Sequence, residues 1–89
     1  MEKIMLFHFA ACPYCAQARR ALQNLLEDHP EYQQLDIELI DEKLEPARAA
    51  RYDYWYVPTF YIGRRKVHEG PINARGIEEI LKKAMAEGE

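Results

Sequence analysis

The sequence predicts a small α/β domain in which strands and helices follow the order β-α-β-α-β-β-α. Three observations support this prediction. A short apolar run over residues 4–9 precedes a helical repeat, a second segment alternates apolar and acidic residues, and a β-rich hairpin precedes an amphipathic closing helix. Because strands joined through helices pair in parallel and hairpins pair antiparallel, the sheet is expected to be mixed.

The first strand and the first helix are predicted from local patterns. The run over residues 4–9 suits a strand that is buried on both faces of a sheet. Pro13 suits the first turn of a helix, where its missing N–H leaves no donor unpaired. The helix is expected to cover residues 13–27 and to end before Pro30. Its apolar residues recur at helical spacing, at Ala18, Ala21, Leu22, Leu25 and Leu26.

The remaining elements are predicted in the same way. Apolar and acidic residues alternate over residues 35–39, which is typical of a strand, and residues 46–54 are expected to form a short helix. A hairpin over residues 59–68 is expected to turn at Gly63. Asn73 is expected to cap the last helix. The apolar face of that helix comprises Ile77, Ile80, Leu81, Ala84 and Met85.

Length and composition restrict the function classes. Eighty-nine residues suit one domain over residues 1–89, and a net charge of −3 gives no electrostatic footprint for nucleic acid. Two cysteines are too few for a secreted disulfide scaffold, and no histidine pair has the spacing of a zinc finger, so no metal site is expected. No apolar run approaches the roughly 20 residues that span a bilayer. Residues 4–7 are too short an apolar run for a secretory signal, and we expect a cytoplasmic protein.

The only two cysteines of the chain stand in the tetrapeptide Cys12-Pro13-Tyr14-Cys15 at the predicted start of the first helix. Two thiols at this spacing can close a disulfide and reopen it. The free N–H groups and the dipole of a helix N-terminus favour thiolate over thiol. We therefore expect Cys12 to be the attacking thiolate, with an exposed sulfur, and Cys15 to be the more buried resolving thiol. Pro13 and Tyr14 are expected to shape the turn and to contact the substrate.

A second candidate site lies at the entry to the third strand. Pro58 lacks the N–H that strand pairing needs, and a cis bond before it would expose the backbone of Val57 to an extended substrate. Trp55 and Tyr56 could line a groove for protein substrates, since aromatic side chains supply contact area at interfaces. The alternative is that half of the aromatic residues around them pack under the second helix.

Basic residues near the cysteines allow two interpretations. His8 lies four residues before Cys12 and could assist the ionisation of its thiol. More commonly, such a residue is a strand histidine that is satisfied by a neighbour. Arg19 and Arg20 are on the first helix and are expected to face solvent.

These motifs carry a resemblance to a known family. The Cys-Pro-Tyr-Cys of residues 12–15, the Val-Pro-Thr of residues 57–59, the hairpin and the closing helix resemble the glutaredoxin branch of the thioredoxin fold. The resemblance implies a thioredoxin-like fold, with a four-stranded mixed sheet and helices on both faces. It also implies a cis peptide bond at Pro58 facing the cysteine pair, and reduction of protein disulfides or of glutathione mixed disulfides.

The chain departs from the glutaredoxin pattern at two places. Glutaredoxins usually carry a lysine or arginine shortly before the first cysteine, whereas residues 8–11 here read His-Phe-Ala-Ala. They also usually carry a Gly-Gly pair after the fourth strand, where this chain has Glu69-Gly70-Pro71. Gly70 is expected to match the second glycine and to contact the substrate. Two reductants therefore stay open, glutathione and a flavoprotein reductase of the thioredoxin type.

The leading interpretation is a monomeric thiol–disulfide oxidoreductase that acts on disulfide-containing proteins. It needs no tightly bound cofactor, and glutathione is a candidate co-substrate. Two alternatives are a module that binds an iron–sulfur cluster between two subunits and a slowly exchanging redox sensor. Pro13 argues against the cluster, because cluster-binding glutaredoxin relatives mostly favour a single-cysteine or less rigid motif.

Overall fold

The structure, a computed structural model, describes residues 2–87. Its elements follow the predicted order, with one additional 3-10 helix after the first α-helix. The strands are β1 (Ile4–His8), β2 (Ile37–Asp41), β3 (Thr59–Ile62) and β4 (Arg65–Glu69). The helices are α1 (Pro13–Asp28), the 3-10 helix (Pro30–Gln34), α2 (Pro46–Ala49) and α3 (Ala74–Glu87).

The four strands form one mixed sheet in the order β2-β1-β3-β4. β1 pairs in parallel with β2 and antiparallel with β3, so that Ile4 lies opposite both Ile37 and Ile62. β4 adds an antiparallel edge to β3. The prediction of a mixed sheet is confirmed. The central position of β1 explains its continuous apolar sequence, because four of its five residues are buried.

The alternation of side chains along β1 divides the core between the two faces of the sheet. Ile4 and Leu6 belong to a larger apolar cluster with residues of α1 and α3. Met5 and Phe7 belong to a smaller cluster with Ala49 of α2 and with aromatic residues of the following loop. Helices therefore cover both faces of the sheet, as the resemblance implies.

The second helix is shorter than predicted. We expect helix over residues 46–54, but α2 comprises Pro46–Ala49. The rings of Tyr52 and Tyr54 lie 4.8 and 5.0 Å from the ring of Phe7, centroid to centroid. The helix ends before these residues, and both rings pack in the smaller cluster. Tertiary packing therefore overrides the local helical preference.

The second strand is displaced from its predicted position. Leu35 follows the 3-10 helix as its C-terminal cap, and β2 begins at Ile37. Within β2, Ile37 packs against the larger cluster, whereas Leu39 is 41% exposed and Ile40 is fully buried, so the predicted alternation holds only at Ile37. Because β2 is an edge strand, one of its faces is only partly covered.

The hairpin and the last helix match their predicted signals. Gly63 turns the hairpin with a φ of +60°, a left-handed conformation that favours glycine. The side-chain oxygen of Asn73 accepts a hydrogen bond of 2.8 Å from the N–H of Gly76, which confirms the predicted cap of α3. Among residues 2–87, no helix is long and apolar enough to cross a membrane.

A carboxylate on the edge strand gives a prediction for stability. Glu38 accepts hydrogen bonds from Arg48 at 2.5 and 2.7 Å and from Lys3 at 3.1 Å, and these contacts lower the pKa of Glu38 to about 2. A lowered pKa in the folded state stabilises the protein above the unfolded-state pKa and loses this effect as pH falls towards 2. Glu38→Gln should lower the free energy of unfolding by about 1 kcal/mol at pH 7.

Urea unfolding of Glu38→Gln and of the parent protein at pH 7, 4 and 2.5 measures this effect. The difference in unfolding free energy should shrink as the pH is lowered. The matched control is Glu27→Gln, because Glu27 is exposed on α1 and its side chain has one weak contact, of 3.4 Å, with Gln23. A difference that stays constant from pH 7 to pH 2.5 would contradict the assignment of the effect to the charge of Glu38.

Candidate active site

The two cysteines lie at the N-terminus of α1. Cys12 is the N-cap residue, with extended backbone dihedral angles (φ −83°, ψ 115°). Its Sγ accepts a hydrogen bond of 3.1 Å from the backbone N–H of Cys15, and its carbonyl accepts one of 3.0 Å from Ala16. A hydrogen bond from an N–H to sulfur strengthens when the sulfur carries a negative charge. The cap geometry therefore places the sulfur of Cys12 where a backbone N–H of the first helical turn can bind it.

The sulfur of Cys12 is less accessible than expected. Cys12 is 6% exposed and Cys15 is fully buried. The prediction of an exposed sulfur at Cys12 is therefore wrong, because its side chain turns back over the first helical turn to meet the N–H of Cys15. Cys15 is the more buried of the two, as predicted.

The surroundings of Cys15 disfavour the ionisation of its thiol. Burial raises the pKa of Cys15 well above the ordinary thiol value, and its contact with Cys12 acts in the same direction. The Arg19 guanidinium acts against this shift but does not reverse it. Cys15 is therefore a protonated thiol at neutral pH. This state suits a resolving group that reacts only when a disulfide forms beside it.

His8 and Arg19 form a polar pair between β1 and α1. Arg19 Nη1 lies 2.9 Å from His8 Nδ1, and because a guanidinium can only donate, the imidazole accepts through Nδ1. Burial and the charge of Arg19 lower the pKa of His8. The interpretation of His8 as a histidine satisfied by a neighbour is confirmed. The prediction that Arg19 faces solvent is wrong, since it is partly buried in this contact.

Val57 and Pro58 lie at the end of the sheet where β1 leads to the cysteines. Thr59 pairs with Phe7, which brings Pro58 beside the end of β1, from which the chain leads to Cys12. The Val57–Pro58 peptide bond is cis, as the resemblance implies. Within residues 2–87, neither the N–H nor the carbonyl of Val57 has a hydrogen-bond partner. This backbone is available to an extended chain.

Gly70 connects the last strand to the Pro58 segment. It has a φ of +98°, and its N–H donates a hydrogen bond of 2.8 Å to the carbonyl of Pro58. A side chain at this position would meet no atom within 4 Å, so the backbone conformation, rather than crowding, favours glycine here. Gly70 is buried and contacts the site at Pro58, and its predicted contact with the substrate stays a prediction.

Three aromatic side chains near the site are exposed. Tyr14 is 53% exposed, Trp55 85% and Tyr56 70%, whereas Tyr52 and Tyr54 pack against Phe7. Tyr52 and Tyr54 therefore follow the packing alternative, and the substrate groove of Trp55 and Tyr56 stays a prediction. A groove of about 410 Å³ also runs from α1 to the start of α3; it is lined by Tyr14, Gln17, Ala21, Pro71, Ile72 and Asn73, together with Ala74.

A residue that sequence reasoning did not select holds the loop of Trp55 and Tyr56. The carboxylate of Glu69 accepts hydrogen bonds from the backbone N–H groups of both residues. No local pattern in the sequence indicates this contact, because it depends on the register between β3 and β4.

In the part of the chain that the structure describes, no group of three or more His, Cys, Asp or Glu side chains could hold a metal ion.

Comparisons with known proteins agree with this geometry. No family model matches the chain. A curated thioredoxin from Methanocaldococcus jannaschii is 28% identical over 83 residues, which cover 93% of this chain and 95% of the relative. Among solved structures, an uncharacterized thioredoxin-like protein from Clostridium perfringens has a TM-score of 0.68 and 24% identity, over 94% of this chain and 71% of that one. Thioredoxin O2 from Arabidopsis thaliana in its oxidized state has a TM-score of 0.58 and 14% identity, over 93% of this chain and 74% of that one.

Proposed function

Since this chain is a member of the thioredoxin superfamily and, in general terms, a thiol–disulfide oxidoreductase, we propose that it reduces disulfide bonds of proteins through Cys12 and Cys15. The observation that carries the proposal is the arrangement of the two sulfurs. Cys12 Sγ accepts the N–H of Cys15 at the helix N-terminus, and the thiol of Cys15 is buried behind it.

The first step is attack by Cys12. Its thiolate forms a bond to one sulfur of the substrate disulfide, and the bond between the two substrate sulfurs breaks. The second substrate sulfur leaves as a thiolate and takes up a proton from the surroundings. The product is a mixed disulfide between Cys12 and the substrate.

The second step is resolution by Cys15. Its thiol loses a proton, and the thiolate attacks Cys12 Sγ. The bond from Cys12 to the substrate breaks, and the substrate leaves as its second thiol. Two electrons have moved from the dithiol to the substrate, which is reduced, while Cys12 and Cys15 are oxidised to a disulfide. Conversion of the Cys12 thiolate into a disulfide sulfur removes its negative charge, which adds to the larger effect of burial in raising the pKa of Cys15.

The surroundings of the pair suit a polypeptide substrate. The unpaired backbone groups of Val57 offer a short strand-like pairing to the chain that carries the disulfide. Tyr14, next to Cys15 in the chain, and Tyr56, next to Val57, offer exposed rings. Pro13 shapes the turn at Cys12, and Pro58, supported by Gly70, positions Val57. These roles make a substrate-binding surface around the cysteines.

We infer that a flavoprotein reductase of the thioredoxin type returns the disulfide to the dithiol. Residues 8–11 provide no lysine or arginine for a carboxylate of glutathione, and the curated relative is a thioredoxin. Glutathione is the second candidate, supported by the groove of about 410 Å³ beside Tyr14, a volume within the range of small-ligand sites. We further propose a cytoplasmic monomer without a tightly bound cofactor, because two cysteines in one motif suit a reducing compartment.

The reductant is tested by oxidising the protein and following NADPH consumption with an excess of a protein disulfide such as insulin. One reaction contains thioredoxin reductase, and the other contains glutathione with glutathione reductase. We expect the thioredoxin reductase reaction to be faster. Faster reduction by glutathione would assign the protein to the glutaredoxin type, and no reduction of insulin in either reaction, or with dithiothreitol, would contradict the proposed function.

A further inference from the structure

Glu69, the last residue of β4, holds a loop that has no regular secondary structure. Its Oε2 accepts the N–H of Tyr56 at 2.8 Å and also the N–H of Trp55. Its Oε1 accepts a hydrogen bond of 2.7 Å from the ammonium group of Lys66. One carboxylate therefore binds two successive backbone amides and one cation, so both of its oxygens are used.

The cross-strand partner of Glu69 also binds the backbone of this loop. Thr59 lies directly opposite Glu69 in the β3–β4 ladder, and such pairs project their side chains from the same face of a sheet. The hydroxyl of Thr59 donates a hydrogen bond to the carbonyl of Tyr56. Both polar backbone groups of Tyr56 are thus bound by side chains of two paired strands.

The backbone of the loop is hydrogen bonded, whereas its side chains are exposed to solvent. Trp55 and Tyr56 are 85% and 70% exposed, yet their N–H groups are hydrogen bonded. Binding a partner costs free energy when mobile segments must be ordered, and a segment ordered in advance lowers this cost. The rings of Trp55 and Tyr56, next to Val57, therefore project from a backbone that is already ordered.

We propose that Glu69 is a positioning residue, which orders the Trp55–Tyr56 loop so that its rings dock an extended polypeptide segment beside its disulfide. This inference rests on the proposed function. Glu69 itself does not contact the sulfurs; it acts through the loop backbone. Lys66 and the two amides also lower the pKa of Glu69 to about 2, so the carboxylate remains charged throughout the neutral range.

The order of the loop can be measured without any enzymatic activity. Trp55 is the single tryptophan of the chain, so its fluorescence anisotropy reports on this loop alone. Glu69→Ala should lower the anisotropy of Trp55 and speed up hydrogen exchange at the amides of Trp55 and Tyr56 by about tenfold or more. Glu69→Gln, which keeps an acceptor oxygen, should restore part of the protection. Glu27→Gln is the matched control and should change neither measurement.

The role in substrate docking needs a second measurement. Glu69→Ala should raise the KM for insulin disulfides by about tenfold, with a smaller change in kcat, since alanine has no acceptor for the two N–H groups of the docking loop. Turnover of a small disulfide and alkylation of Cys12 by iodoacetamide should change much less than the KM for insulin, because neither uses the loop. Glu69→Gln should lie between the parent protein and the alanine variant.

Lys66→Met separates the two sets of contacts made by Glu69. It removes the ion pair and leaves the amide contacts in place, so we expect a smaller rise in KM than with Glu69→Ala. An equal rise would overturn the proposal, because the effect would then follow the ion pair.

Two further outcomes would also overturn the proposal. One is unchanged amide exchange in both Glu69 variants, and the other is a disordered loop with an unchanged KM for insulin. If the parent protein reduces no protein disulfide, the proposed function and the docking role both fail. The anisotropy and exchange data would still show whether Glu69 orders the loop, so the two failures can be told apart.

Discussion

Replacing Cys12 with serine is expected to lower the rate of disulfide reduction by at least on the order of a thousandfold, for protein and small disulfides alike. The nucleophile in thiol–disulfide exchange is a thiolate, and a serine hydroxyl is not ionised at neutral pH. Without attack at position 12 no mixed disulfide forms, and the buried Cys15 has no disulfide within reach. Steady-state reduction of insulin and of a small aromatic disulfide measures the loss.

The same substitution is expected to leave the fold intact, which makes the result specific to the chemistry. Cys12 is the N-cap residue of α1, and serine is among the preferred residues at this position. Its hydroxyl can accept the N–H of Cys15 in place of the sulfur. The free energy of unfolding should change by less than about 1 kcal/mol. Substantial activity in a well-folded Cys12→Ser protein would show that Cys15 can attack first, contrary to the assigned roles.

The two long helices could be predicted from the sequence because their signals are local. Pro13 begins α1, Asn73 caps α3, and both helices carry apolar residues at helical spacing. The length of α2 could not be predicted in this way. It depends on the packing of Tyr52 and Tyr54 against Phe7, which lies more than forty residues earlier in the chain. Contacts between distant residues leave no periodic pattern at either end.

The features of the candidate site also fall into two groups, those set within one short segment and those set by contacts between distant residues. The pairing of Cys12 with Cys15 could be predicted because the spacing and the helix start lie in one short segment. The near-complete burial of Cys12 depends on its side-chain conformation. The contact of Arg19 with His8 depends on how α1 packs on β1, and that of Glu69 on the register of the hairpin. Such features are determined by the assembled sheet and are absent from any single segment.

Replacing Cys15 with serine is expected to separate the two steps of the reaction. Cys12 should still attack, so a mixed disulfide with a protein substrate should form and persist, because no second thiol is present to resolve it. Reduction of protein disulfides should fall to a few per cent of the parent rate or less, roughly the hundredfold loss typical of a missing catalytic group. Exchange with glutathione mixed disulfides, which needs one thiol, should continue.

Non-reducing gel electrophoresis after mixing the variant with oxidised insulin detects the trapped species, and assays with both substrate classes measure the split. Cys15 is fully buried, and a serine there also places a hydroxyl in an apolar site. Cys15→Ala is therefore the matched control, since it removes the thiol without adding a polar group. Agreement between the two variants assigns the trapped species to the missing thiol. Equal loss in both assays would show instead that Cys15 is needed for the first step, for example by donating its thiol proton to organise Cys12.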